Sequence, residues 1–161
     1  MKIFKYELSG TSITTVFSII GVLFVIILGN YNVKDLREAR KAEEVLEDLK
    51  ELRIALEKYY QVTKKYPDLT REGVKDNLRI LDYKDRNGKI ISFAEIYGHD
   101  VLPKTPSEEG LEESNNIYDT NNFLKGNNSG GWNYDYSGNT GEIHPNLPEN
   151  IYSQGVEWSS H

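Results

Sequence analysis

The chain has 161 residues, a net charge of −6 and no cysteine. The acidic balance argues against nucleic acid or an anionic membrane surface as a partner. The lack of cysteine excludes disulfides and thiolate metal sites. Roughly 130 residues follow an apolar run near the N-terminus, which is enough for one domain and too few for two.

The first predicted element is an apolar helix near the N-terminus. Residues 1–10 form a short basic leader, and the stretch from Ile13 to Leu28 contains no charged residue. At about 17 residues, the run is at the lower limit for a helix that spans a bilayer. We therefore predict a leader over residues 1–10 and the transmembrane half of a long helix over residues 11–30.

A signal peptide is the alternative interpretation of this run. The apolar stretch ends at Leu28-Gly29-Asn30-Tyr31 and continues into a helical pattern, without the small-residue motif at which signal peptides are cleaved. We therefore expect a retained anchor. Lysine and arginine occur on both sides of it, so their count alone does not fix its orientation.

The second half of the long helix is predicted over residues 31–66, because no proline precedes Pro67. Its apolar residues recur every three or four positions, and charged pairs such as Arg40/Glu44 occupy other faces. Small residues near the membrane suit close approach by neighbouring helices, and larger ones further on suit burial against a head. An ordinary solvated linker helix is the alternative. The predicted stripe consists of Leu36, Ala39, Ala42, Leu46, Leu49, Leu52, Leu56 and Tyr60.

A globular head with an antiparallel sheet is predicted over residues 67–161, which makes the fold class α+β. Lys64, Lys65 and Pro67 are typical of a helix end. The pattern then predicts a sequence of short elements. They are a helix over 71–81 capped by Thr70, a turn over 85–88, a strand over 89–97, a polar loop over 103–122 and a weakly patterned tail over 146–161.

A C-terminal hairpin is the clearest strand signal. Trp132, Tyr134 and Tyr136 alternate with polar residues, which places three aromatic rings on one face of a strand. A five-residue turn over 137–141 leads to a return strand over 142–144. The rings are predicted to cover the long helix as the core of the head. Alternatively, they form a surface on which a ligand stacks.

No catalytic motif is recognisable in the sequence. There is no Gly-x-Ser-x-Gly turn, no phosphate-binding loop and no His-Glu-x-x-His pair. Calcium is the one cofactor that the residue types suggest, because it prefers six to eight oxygen ligands. Asp119, Asp135 and Glu142 lie in or near the Asn- and Gly-rich region, but their spacing matches no defined calcium loop.

Two parts of the chain carry a family resemblance. At the N-terminus, Gly10 stands directly before the apolar helix and is followed by Thr11-Ser12-Ile13. In the head, the helix ends with Tyr59-Tyr60 and Lys64-Lys65-Tyr66-Pro67, and Gly130-Gly131-Trp132-Asn133-Tyr134 opens the hairpin. Together these motifs resemble type IV pilin-like proteins, in particular pseudopilins of type II secretion.

The resemblance implies cleavage by prepilin peptidase between Gly10 and Thr11, and assembly through the apolar helix. The family usually has Glu at the fifth mature position, where it pairs with a neighbouring amine. Thr15 occupies that position here, and Asn32 stands where a mid-helix proline is usual. Members without the Glu tend to be tip or minor subunits. Some pseudopilins also bind calcium in a C-terminal loop.

These observations favour a structural subunit of a pilus-like or pseudopilus filament, not an enzyme. Its partners would be other pilin or pseudopilin subunits, the inner-membrane assembly machinery, prepilin peptidase and the membrane, with the head outside the cytoplasm. The alternative function is a membrane-anchored binding module that is not processed as a pilin. Its site would be Trp132, Tyr134 and Tyr136, together with the loop over residues 103–122.

Overall fold

The computed structural model describes the backbone of residues 10–161 and the side chains of residues 20–161. Residues 1–9 of the predicted leader lie outside this range. The chain divides into two compact units, Met1–Arg37 and Glu38–His161, which are treated separately below.

One long helix, α1, runs from Gly10 to Thr63 over 54 residues. It ends where Lys64 takes a left-handed conformation, with φ of 60°, and donates its N–H to the carbonyl of Tyr60 at 2.7 Å. This left-handed position terminates the helix before Pro67. The predicted long helix is confirmed, and its end lies slightly before the expected boundary at residue 66.

In the second unit, one face of α1 forms the centre of the hydrophobic core. The buried positions are spaced by three or four residues, as an amphipathic helix requires. Most of the predicted stripe from Ala42 onward is buried, whereas Leu46 and Tyr60 are only half-buried. The predicted burial of the upper half of the helix against the head is therefore confirmed. The buried residues on this face are Glu38, Ala42, Val45, Leu49, Leu52, Ala55, Leu56 and Tyr59.

The head contains short elements joined by long irregular segments. A two-stranded antiparallel sheet pairs β1 with β2, and a three-stranded sheet has the order β3-β4-β5. Strands β3 and β4 are parallel, whereas β4 and β5 are antiparallel. The α+β class is confirmed, but the larger sheet is mixed. The strands are β1 (Tyr83–Lys84), β2 (Ile90–Ile91), β3 (Ile117–Asp119), β4 (Trp132–Tyr134) and β5 (Ile143–Pro145).

The predicted strand over residues 89–97 is wrong beyond Ile91. Residues Phe93–Tyr97 form a short helix, α2, whose N-terminus is capped by the Ser92 hydroxyl, which accepts the N–H of Glu95 at 3.2 Å. Gly98 ends the helix in a left-handed conformation, with φ of 91°. The Ser-x-x-Glu spacing is a capping signal that outweighs the apolar residues of this segment.

The predicted helix over residues 71–81 is replaced by two short 3₁₀ segments, Val74–Asp76 and Leu78–Leu81. Gly73 is left-handed and Asn77 is extended, so the backbone cannot continue as one helix through either position. Thr70 does not cap a helix there, because the first segment begins only at Val74, after Gly73. The Thr70 hydroxyl donates to the Asp68 carboxylate at 2.7 Å.

The C-terminal hairpin is confirmed. Tyr134 pairs with Ile143, and the connection from Asp135 to Glu142 is longer than the predicted turn. The polar loop over residues 103–122 contains β3, which the sequence did not reveal. The tail after residue 146 packs into the core through Leu147, Tyr152 and Trp158, each at most 4% exposed.

Candidate functional site

The first unit presents a continuous apolar surface on α1. The large apolar side chains from Ile20 to Leu28 are 49–69% exposed. Tyr31 and Val33, further along the helix, are exposed as well. A Cβ added at Gly21 or Gly29 would contact nothing within 4 Å. A surface of this kind marks a site that another apolar surface covers.

The residues of the predicted cleavage site lie at the N-terminal end of α1. Gly10 is the first residue of the helix, and Thr11 and Thr15 follow within it. The side chains of Thr11 and Thr15 lie outside the described part of the chain. Cleavage between Gly10 and Thr11, and the filament role of Thr15, therefore stay predictions.

Among the residues that the structure describes, no helix combines the length and the apolar character needed to cross a membrane. The predicted span over residues 11–30 includes residues 11–19, whose side chains are outside the described part. The transmembrane half of the helix therefore stays a prediction.

Two of the three hairpin aromatics belong to the core, and Tyr136 packs half-buried against it. Trp132 and Tyr134 are both fully buried; the Trp132 Nε1–H donates to the carbonyl of Pro103 at 2.8 Å, and the Tyr134 hydroxyl donates to that of Pro67 at 2.9 Å. Burial raises the pKa of Tyr134 well above its usual value. These two rings are therefore unavailable as the ligand-stacking surface that the binding-module interpretation requires.

The three predicted calcium ligands are each engaged within the head. Asp119 accepts the N–H groups of Tyr136 and Ser137, both at 3.1 Å. Asp135 accepts the Gly138 N–H and the Thr140 hydroxyl at 2.8 and 2.6 Å. Glu142 lies 2.9 Å from His144 Nε2.

These contacts give the Asp119 and Asp135 carboxylates a role in shaping the hairpin connection, since each accepts two hydrogen bonds from it. In the described part of the chain, no group of three or more His, Asp or Glu side chains is arranged to hold a metal ion.

The opposite face of the larger sheet carries polar residues for which the sequence predicted no functional role. Tyr118, Asn133 and His144 are direct neighbours across the three strands, so their side chains share one face. Asn133 and His144 are only 3% and 6% exposed. The alternation in β4 predicts the direction of Asn133, but not the segment that covers it.

An acidic cluster lies on α1 in the second unit. Burial, and then the charges of Glu44, Glu51 and Glu47, raise the pKa of Asp48 to about 6, while His99 acts in the opposite direction. Protonation of Asp48 as the pH falls below about 6 therefore relieves the repulsion among these carboxylates.

The chain matches no protein-family model, no curated protein and no solved structure. The likeness to pilin-like proteins thus rests on the sequence motifs around Gly10, the helix end and the Gly-Gly-Trp hairpin. In the structure, these motifs occur in a chain with a 54-residue helix, and part of this helix contributes to the core of an α+β head.

Proposed function

We propose that the protein is a pilin-like structural subunit that assembles through the N-terminal part of α1. The observation that carries this proposal is the exposed apolar surface from Ile20 to Leu28. The second unit uses the same helix for its own core, from Ala42 to Tyr59. One helix thus supplies an internal packing face and an unoccupied apolar surface, as a subunit with an assembly helix requires.

Van der Waals packing between apolar helices would drive assembly. An apolar helix that moves from lipid into a bundle of helices exchanges one apolar environment for another, so hydrophobic transfer contributes little free energy. Close van der Waals contact therefore determines the association. Gly21 and Gly29 leave space beside the backbone, which permits such contact. In this proposal the partners are further pilin or pseudopilin subunits, the assembly machinery and the membrane, with the head outside the cytoplasm.

The mature N-terminus is the first test. The full chain is expressed with a prepilin peptidase, purified from membranes and analysed by intact-mass spectrometry. We expect a chain that begins at Thr11, because Gly10 immediately precedes the apolar run. A chain that keeps Met1 under these conditions would contradict processing as a pilin and would favour the anchored binding module.

Assembly is tested separately with charged substitutions. We expect Val25→Asp to abolish co-assembly, since an unpaired carboxylate in a helix bundle is costly. Leu124→Asp is the matched control, because Leu124 is 83% exposed in the head. Sedimentation and electron microscopy of the co-expressed subunits measure the result. Equal assembly of the two variants would contradict the proposed surface.

A further inference from the structure

A small cavity lies on the polar face of the larger sheet. Its volume is about 290 Å³, just below the usual range for small-molecule sites. Apolar parts of Phe123 and Pro148 line it together with the polar side chains of Asn133, Glu149 and Ser159. Most of the exposed lining is polar, so a ligand that fits it would carry several hydrogen-bonding groups.

The base of the cavity contains a buried amide with an unused acceptor. Asn133 is 3% exposed, and its only side-chain hydrogen bond among the described residues runs from Nδ2 to Asn146 Oδ1 at 3.4 Å. Its Oδ1 accepts no hydrogen bond from the described part of the chain, yet it is not among the fully enclosed unpaired atoms. The oxygen therefore keeps some access to solvent, and Asn133 is one of the residues that line the cavity.

Neighbouring interactions hold this arrangement in place. Asn146 is fully buried, and its Oδ1 also accepts the N–H of Asn128, a cavity residue, at 3.0 Å. Phe123 packs on the ring of His144 with centroids 4.0 Å apart. A substituent at Gly126 would come within 2.7 Å of both Asn133 Nδ2 and Asn146 Oδ1. The Asn133 amide therefore has little freedom to turn away and pair elsewhere.

We propose that this cavity binds a neutral monosaccharide unit. A sugar hydroxyl is the donor that Asn133 Oδ1 lacks, and the Ser159 hydroxyl and the Glu149 carboxylate can pair with further hydroxyls. Phe123 and Pro148 belong to the smaller apolar part of the lining, which the C–H face of a pyranose ring can contact. The Glu149 charge disfavours phosphorylated or acidic sugars. This inference goes beyond the proposed function and does not depend on filament assembly.

The experiment uses the full chain, labelled with ¹⁵N, in a detergent without a sugar headgroup. D-glucose, D-galactose and N-acetyl-D-glucosamine are titrated separately, and glucose 6-phosphate is the charged comparator. We expect at least one neutral sugar to shift the Asn133 side-chain amide and Ser159 signals saturably. The phosphorylated sugar should bind at least about tenfold more weakly. The absence of such shifts for all three neutral sugars would overturn the proposal.

Two variants locate the binding. Ser159→Tyr should fill the cavity and abolish the shifts, whereas Ser160→Tyr, at an exposed neighbour that does not line it, should retain them. Exposed Glu149→Gln should bring the affinities for glucose and its phosphate close together. This second variant tests the site even if Ser159→Tyr fails to fold. Shifts unchanged by Ser159→Tyr, or selectivity unchanged by Glu149→Gln, would overturn the assignment.

Discussion

At the residue scale, single glycines decide whether the hairpin can approach its neighbours. Gly131 opens β4 with φ of 79°, and its N–H donates to the Thr105 hydroxyl at 2.8 Å. A Cβ at this position would collide with the carbonyl oxygen of Asn116. Only glycine combines this conformation with so close an approach. Packing therefore accounts for the second glycine of the Gly-Gly-Trp motif.

The first prediction concerns Gly131→Ala. We expect it to lower the free energy of unfolding by at least about 3 kcal/mol, since it combines left-handed strain with a backbone collision. Gly110→Ala is the control, because Gly110 has φ of 81° but no atom within 4 Å of an added Cβ. It should cost about 1 kcal/mol. Urea denaturation measures both, and similar losses would contradict the collision.

The second prediction concerns the raised pKa of Asp48, which is about 6 in the folded state. A carboxyl group with a raised pKa binds its proton more tightly when folded, so stability falls as pH rises from about 4 to 6. We expect Asp48→Asn to remove this loss. Its stability relative to wild type should rise by about 1 kcal/mol across that range, after allowance for solvent screening.

Urea denaturation at a series of pH values measures the effect of Asp48→Asn. Glu57→Gln is a suitable control, since Glu57 is an exposed carboxylate on the same helix, outside the cluster of Glu44, Glu47 and Glu51. A stability difference for Asp48→Asn that does not change between pH 4 and 6 would contradict the raised pKa.

At the element scale, α1 is one continuous helix with two kinds of surface. Leu36 and Leu52 are both leucines within it, yet Leu36 is 56% exposed whereas Leu52 is fully buried. Periodicity assigned both to one stripe, because spacing reports the direction of a side chain and not what lies opposite it. Short elements were harder to predict, since α2 depends on the Ser92 cap and β3 on pairing with β4.

The third prediction compares these two leucines. Leu52→Ala should lower the free energy of unfolding of the head by about 2–5 kcal/mol, because it leaves a cavity in the core. Leu36→Ala should change it by no more than about 0.5 kcal/mol. Urea titration followed by tryptophan fluorescence distinguishes the two. A comparable loss from both variants would show that Leu36 is also part of a packed core.

At the scale of the whole molecule, the second unit contains every buried apolar side chain that the structure describes. These residues run from Ala42 to Trp158 and form one cluster. Long-range hydrogen bonds also join residues within this unit. The Arg53 guanidinium donates to the main-chain oxygens of Ile143 and His161 at 2.8 and 2.6 Å. The unit therefore has the internal contacts of an independently folding domain.

The fourth prediction concerns a fragment that begins at Lys34, about one helical turn before the second unit. We expect it to fold and to retain the near-ultraviolet circular dichroism of the buried Trp132 and Trp158. Its unfolding free energy should lie within about 1 kcal/mol of that of the full chain, since no buried apolar residue is removed. Loss of the near-ultraviolet signal would show that the head requires the preceding helix.

The sequence by itself determined the long helix, its apolar N-terminal part, the core face from Ala42 to Tyr59 and the pairing of the C-terminal hairpin. These features follow from local rules: the absence of proline, three- and four-residue spacing, and alternation in β4. The predicted burial of Trp132 and Tyr134 is also confirmed, and the structure decided for it against the ligand-stacking alternative. Only the tertiary structure decided that β3 joins the sheet in parallel. It also decided that Asn133 is buried and lines a cavity. Whether a residue is buried depends on segments that are distant in the chain. The local pattern of residues cannot predict which segment packs on which face.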